Sequence, residues 1–211
     1  MITVYVDGFF VSPIDASVLI SLEEKGIEYQ TARALLRDGQ GVPPSLATQA
    51  TIARVPTLQH GDFFLTESLA IIDYLEQLYP APPLFSANPR TRARCKQVMA
   101  FLRFDIHALR DERQWWTVVY PAPGLPPLSP RAARDAAELI SIATTFVPQL
   151  GDEFSIAHAD LALALMRLAN NGHPMPNALT AFIAATCQRP SVRTYLDHSR
   201  PPNPPLRFTV G

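Results

Sequence analysis

The hydrophobic pattern of this chain changes period once, near residues 80–89, and that change constrains the fold more than any other feature. Before it, short β-branched and aromatic runs alternate with helical patterns; after it only helical patterns remain. Residues 2–6 (Ile-Thr-Val-Tyr-Val) read as a strand, because such side chains pack well on a pleated surface. Ser12-Pro13 sets a capping hydroxyl before a proline at the first helical position. A helix is therefore predicted from Pro13 to Lys25, with Ile14, Val18, Leu19 and Leu22 on one face and Gly26 as its stop. Ile27 to Thr31 reads as a second strand. Residues 37–54 read as loop, with a short helix around 44–50. Pro56–His60 and Phe63–Thr66 flank Gly61-Asp62, a hairpin signal. Thr66-Glu67-Ser68 opens a helix carrying Leu69, Ile72, Leu75 and Leu78 at helical spacing, which Pro80 to Pro83 end. The order is βαβ, then ββα.

From Pro89 one long amphipathic helix is predicted over 90–113, with Met99, Leu102, Ile106 and Leu109 as its stripe. Ser129-Pro130 starts another, with Leu139, Ala143 and Phe146 inward. Residues 156–169 are apolar nearly all round, as in a helix central to its domain, and Asn170-Asn171-Gly172 ends it. Two short helices follow, near 176–187 and 190–198. Pro121–Pro130 reads as loop and Pro201–Pro205 as an extended tail. The domains implied are 1–80 and 90–200.

The sequence excludes several function classes. With 18 basic and 19 acidic side chains, it lacks the basic excess of a nucleic-acid-binding protein. It has no apolar run near the ~18 residues that span a bilayer, and its start shows no secretory signal, so a cytoplasmic location with no membrane partner is expected. The two cysteines, Cys95 and Cys187, are too far apart for a Cys-x-x-Cys redox site and read as buried free thiols. The histidines show no metal-ligand spacing.

Several ordered motifs point to one family. Ser12-Pro13-Ile14, the helix end Leu22-Glu23-Glu24-Lys25-Gly26-Ile27-Glu28-Tyr29, the segment Arg54-Val55-Pro56-Thr57-Leu58, the Glu67-Ser68 pair and Arg189-Pro190-Ser191-Val192 together resemble the soluble glutathione transferases. Asp7–Pro13, with Phe101–Asp105 and Arg110–Arg113, resembles the bacterial YfcF-type branch, associated with glutathione-dependent peroxide reduction.

The resemblance implies a thioredoxin-like N-terminal domain (βαβ-ββα) and an all-helical C-terminal domain. It implies no permanently bound cofactor, glutathione as co-substrate, a small hydrophobic electrophile or hydroperoxide as its partner, and a homodimer. Ser12 would stabilise the glutathione thiolate, helped by the positive helix N-terminus; taken alone, it caps a helix. Pro56, cis in the family, would turn the Val55 backbone toward the cysteinyl part of glutathione. Glu67 would take the α-ammonium and Ser68 the γ-glutamyl carboxylate. Arg54 would meet the glycine carboxylate, or be simply an exposed arginine. The acceptor pocket would draw on Phe10, Arg103, Arg110 and Trp115. Ser17 and Tyr5 are expected to point elsewhere, Ser155 to cap the central helix with His158 in place of the usual acid, and Asp160 to serve as a buried hydrogen-bond acceptor. Two other readings compete: a non-catalytic ligand-binding or regulatory protein of the same fold, and a thiol-disulfide exchanger, which would need a cysteine where Ser12 stands.

Overall fold

The computed structural model describes residues 1–34, 44–50, 52, 54–122 and 124–202. Strand β1 (Ile2–Asp7) leads to α1 (Pro13–Lys25), β2 (Tyr29–Ala34), a short α2 (Pro44–Gln49), the hairpin β3 (Thr57–His60) and β4 (Phe63–Thr66), and α3 (Ser68–Leu78). The sheet order is β2-β1-β3-β4. β1 runs parallel to β2, with Ile2 opposite Tyr29, and antiparallel to β3, with Tyr5 opposite Thr57. Helices alone follow: α4 (Pro89–Phe104), α5 (His107–Glu112), a 3-10 turn (Trp115–Val118), α6 (Pro130–Phe146), α7 (Ile156–Ala169), α8 (Asn177–Cys187) and α9 (Pro190–Leu196). This is a thioredoxin-like unit followed by an all-helical one. Residues 37–43 of the loop predicted over 37–54, and most of the proline tail, from residue 203 on, lie outside the described residues.

The helix starts follow local chemistry. Asn88 and Ser129 cap α4 and α6 through side-chain oxygens, each followed by proline. At α7 the Ser155 N–H donates to His158 Nδ1 at 3.1 Å, so a histidine closes the capping box in place of an acid.

Three expectations need correction. Helix α1 is not one-faced: it packs against α3, α7, α9 and β1, and buries Val18, Leu19, Ile20 and Leu22. The second strand starts at Tyr29 rather than Ile27. Gly26 takes φ 61°, and Ile27 N–H returns to Leu22 O at 3.1 Å, so a six-residue closing turn uses Ile27 before the strand begins. The long helix predicted over 90–113 breaks at Asp105-Ile106, where Ile106 adopts φ 49°, and resumes as α5. Periodicity does not reveal the break because Met99, Leu102, Ile106 and Leu109 are all buried on both sides of it. The Leu109 N–H instead finds the Asp135 carboxylate of α6 at 3.1 Å. Of the two thiols, Cys95 is buried and Cys187 half-buried.

Candidate functional site

The turn between β1 and α1 is held from two directions. The Asp7 carboxylate accepts the N–H groups of Phe9 (2.9 Å), Val11 (3.1 Å) and Ser12 (3.0 Å). From α9, the Tyr195 hydroxyl lies 3.0 Å from Phe10 O and 3.1 Å from Ser12 O, and Arg200 Nε donates to Phe10 O at 2.8 Å. These anchors hold Phe10 at φ 52°, in the left-handed region that non-glycine residues rarely occupy. Ser12 then sits at the α1 N-terminus, and its Oγ accepts the Asp15 N–H at 3.2 Å. That bond uses an oxygen lone pair, so the hydroxyl proton stays available for a ligand. Capping and ligand donation are therefore compatible roles for one serine.

Asp15 is fully buried beside Asp7 and accepts the Asp7 N–H through Oδ2 at 2.6 Å. Burial first, and the Asp7 charge second, push its carboxyl well above the ordinary carboxylate range. A raised native-state pKa favours folding fully below the unfolded value of about 3.9, and that contribution is lost as pH rises through the native value. Asp15→Asn keeps the accepting oxygen without the charge. Its stability relative to the parent is expected to improve as pH rises from about 4, read by urea unfolding at each pH. A pH-independent difference would count against this assignment.

The second wall of the site comes from the β4–α3 junction and the turn before β3. Glu67 takes φ 68°, a strained conformation for a side chain with a Cβ. It presents its carboxylate, half exposed, 3.1 Å from Arg54 Nη1. The Val55–Pro56 peptide bond is cis. Ser68 is buried, and its Oγ accepts Arg103 Nε at 2.9 Å.

Arg103 joins the two halves of the molecule. Its guanidinium also donates to Ser17 Oγ on α1 (3.0 Å) and to the buried carboxylate of Asp160 on α7 (2.6 Å). The break after α4 leaves Arg103 O free of a helical partner, and Arg110 Nη1 takes it at 2.5 Å. Between the walls lies a cleft of about 1310 Å³. Ser12, Arg54, Val55, Pro56, Glu67, Ser68, Arg103, Arg110 and Trp115 all line it.

The chain is similar to known proteins over nearly all its length. The family descriptions "Glutathione S-transferase, N-terminal domain" and "Glutathione S-transferase, C-terminal domain" match residues 8–83 and 88–200. A glutathione transferase homologue from Burkholderia, solved with bound glutathione, superimposes with a TM-score of 0.70 at 30% identity, covering 92% of this chain and 95% of that one.

The chain belongs to the glutathione S-transferase family.

Other relatives are more distant or partial. A maleylacetoacetate isomerase of Pseudomonas aeruginosa is 41% identical over 108 residues, 46% of this chain and 50% of that protein, so the match spans only half its length. A stringent starvation protein A homologue of Pasteurella multocida is 29% identical over 88% of this chain and 86% of that one.

Within this glutathione S-transferase scaffold, one residue read from the sequence falls elsewhere. Phe10 does not line the cleft: it is 1% exposed and packs against the His198 ring, 4.0 Å between centroids, because the Tyr195 and Arg200 anchors turn its backbone that way. Ser17, expected to point elsewhere, is tied to the site through Arg103. Asp160 is the buried acceptor that was expected, and its donor is Arg103. Sequence reasoning missed Arg167, a cleft-lining cation on the largely apolar α7. A single arginine in that apolar run was the available signal. Among the described residues, no three His, Cys, Asp or Glu side chains form a group able to hold a metal ion, and no helix is long and apolar enough to cross a membrane.

Proposed function

We propose that this cleft binds glutathione and activates its thiol for attack on a small electrophile or an organic hydroperoxide, the latter as in the peroxide-reducing branch that the sequence resembles. The reading rests on one observation above all: two helix starts, at Ser12 and at Glu67-Ser68, line the same cleft. A helix N-terminus offers unpaired N–H groups and a partial positive charge, which suit an anion. At α3 that anion is the γ-glutamyl carboxylate, with Glu67 receiving the α-ammonium. At α1 it is the thiolate, to which Ser12 donates its free hydroxyl proton. The Val55 backbone pairs with the cysteinyl unit, and Arg54 meets the glycine carboxylate.

With an alkyl or aryl halide, the thiolate sulfur forms the new C–S bond while the halide leaves with its bonding pair. With a hydroperoxide, sulfur attacks the distal oxygen and the O–O bond breaks. The alkoxide takes a proton to leave as alcohol, and a second glutathione converts the sulfenic acid to disulfide and water. The first 80 residues supply the glutathione site and residues 90–200 the acceptor side, in a cytoplasmic homodimer. A sedimentation mass of one chain at micromolar concentration would refute the dimer.

Two substitutions separate binding from activation. Ser12→Ala is expected to leave glutathione affinity nearly intact, raise the pKa of the bound thiol, and cut turnover about tenfold for each unit of that rise, equivalent to about 1.4 kcal/mol. Glu67→Ala is expected to weaken glutathione binding by about 1.5–3 kcal/mol, the range for a hydrogen bond to a charged group. Calorimetric titration and thiolate absorbance against pH read both. Wild-type turnover and thiol pKa in Ser12→Ala would remove Ser12 from the chemistry and leave it a cap. Glutathione binding with no turnover across a panel of halides and peroxides would favour the binding-protein reading.

A further inference from the structure

On the helical side, the cleft carries more positive charge than it neutralises. Arg103 is matched by Asp160 at 2.6 Å. Arg110 and Arg167 have no carboxylate within ion-pair distance among the described residues, although both line the cleft. Arg167 is 5% exposed, and its Nε has no hydrogen-bond partner. Burying a guanidinium with an unmet donor is costly, so the site is built for an anion that the chain itself does not supply. Burial, and then the like charge of Arg110, hold the Arg167 pKa down to about 9. Burial also lowers that of Arg110, which feels Asp111 in its favour and Arg103 against it. The opposing acids are few: Asp111 is exposed on α5, and Asp160 spends one oxygen on Arg103 while its Oδ1 is unpartnered. Beside the two arginines lie Leu102, Ile106 and Trp115, an apolar and aromatic surface.

We propose that the second ligand of this cleft is an anion with an apolar body, an electrophile carrying a carboxylate, received by Arg167 and Arg110 and packed against Leu102, Ile106 and Trp115. A guanidinium pairs with a carboxylate through two parallel N–H bonds, and the low local polarity strengthens them. Only the description of this ligand as the acceptor rests on the transferase reading; the anion site stands on the arginines alone.

The test uses an inert pair that differs in charge, 3,5-dinitrobenzoate and 3,5-dinitrobenzamide, titrated calorimetrically into the full-length protein with and without glutathione. The benzoate is expected to bind roughly ten- to a hundredfold more tightly than the amide, as one charge-assisted contact predicts. Arg167→Met is expected to remove most of that preference and Arg110→Met part of it. If Arg167→Met does not fold, Arg110→Met and the benzoate–amide comparison on the parent still decide. Equal affinity for benzoate and amide, or a preference that survives both substitutions, would overturn the anion site. A separate glutathione titration distinguishes the two readings: loss of glutathione binding with the benzoate preference intact refutes the transferase reading and leaves this one standing.

Discussion

Replacing Lys25 with methionine is expected to lower the unfolding free energy by about 3–5 kcal/mol, the cost of leaving a buried ion-pair partner uncompensated. The Lys25 side chain is completely buried. Its ammonium donates to Glu76 Oε2 at 2.8 Å, Tyr79 O at 2.5 Å and Pro82 O at 3.0 Å, which satisfies all three of its donors. Glu76 in turn accepts the Leu84 N–H at 3.0 Å and lies 3.5 Å from Arg92 Nη1 on α4. One ammonium thus ties the end of α1 to α3 and to the segment leading into the helical half. Without it, the buried Glu76 carboxylate keeps only its longer contact with the partly exposed Arg92, and two carbonyls lose their donor. Adding Glu76→Leu to Lys25→Met removes that under-compensated buried charge and is expected to recover part of the loss, since replacing both members of a buried pair costs far less than removing one. Urea unfolding followed by tryptophan fluorescence measures both. A single-variant loss below about 1 kcal/mol would mean that water or another cation replaces Lys25 there.

Arg103→Met is the second large effect, also about 3–5 kcal/mol, and it carries a functional signature. The Arg103 side chain is 9% exposed and that of Asp160 4%. Removing the guanidinium strands Asp160, whose Oδ1 already lacks a partner. It also removes a donor to Ser68 Oγ and to Ser17 Oγ. Glutathione affinity should fall along with stability, because Ser68 loses the contact that orients its hydroxyl. Asp160→Leu added to Arg103→Met should restore stability without restoring affinity, and the double-mutant cycle separates the pair from its surroundings. Recovery of both together would show that Arg103 acts on Ser68 only through the integrity of the fold.

What was legible in the sequence is what depends on neighbours a few residues away. Ser12 and Ser129 each announce a helix because the capping oxygen reaches an N–H three residues on and the next residue is a proline. Gly26 ends α1 because a left-handed residue closes the last carbonyls locally. The hairpin at Gly61-Asp62 and the order βαβ-ββα follow from the same short-range rules, and so do the helix starts on which the proposed glutathione contacts depend. The break at Ile106 escaped because the buried stripe continues across it, and its compensating bond comes from Asp135, 26 residues away. The side-chain links that join the walls of the cleft escaped for the same reason. Arg103 gathers Ser68, Asp160 and Ser17 across 35, 57 and 86 residues, and Tyr195 reaches back 185 residues to set Phe10 under α9 rather than in the cleft. Arg167 reads in sequence as one cation on an apolar helix. Only the packing of α7 against α1 and α4 buries it beside Arg110, because burial and charge pairing are decided by which faces meet, and sequence periodicity records only that a face exists.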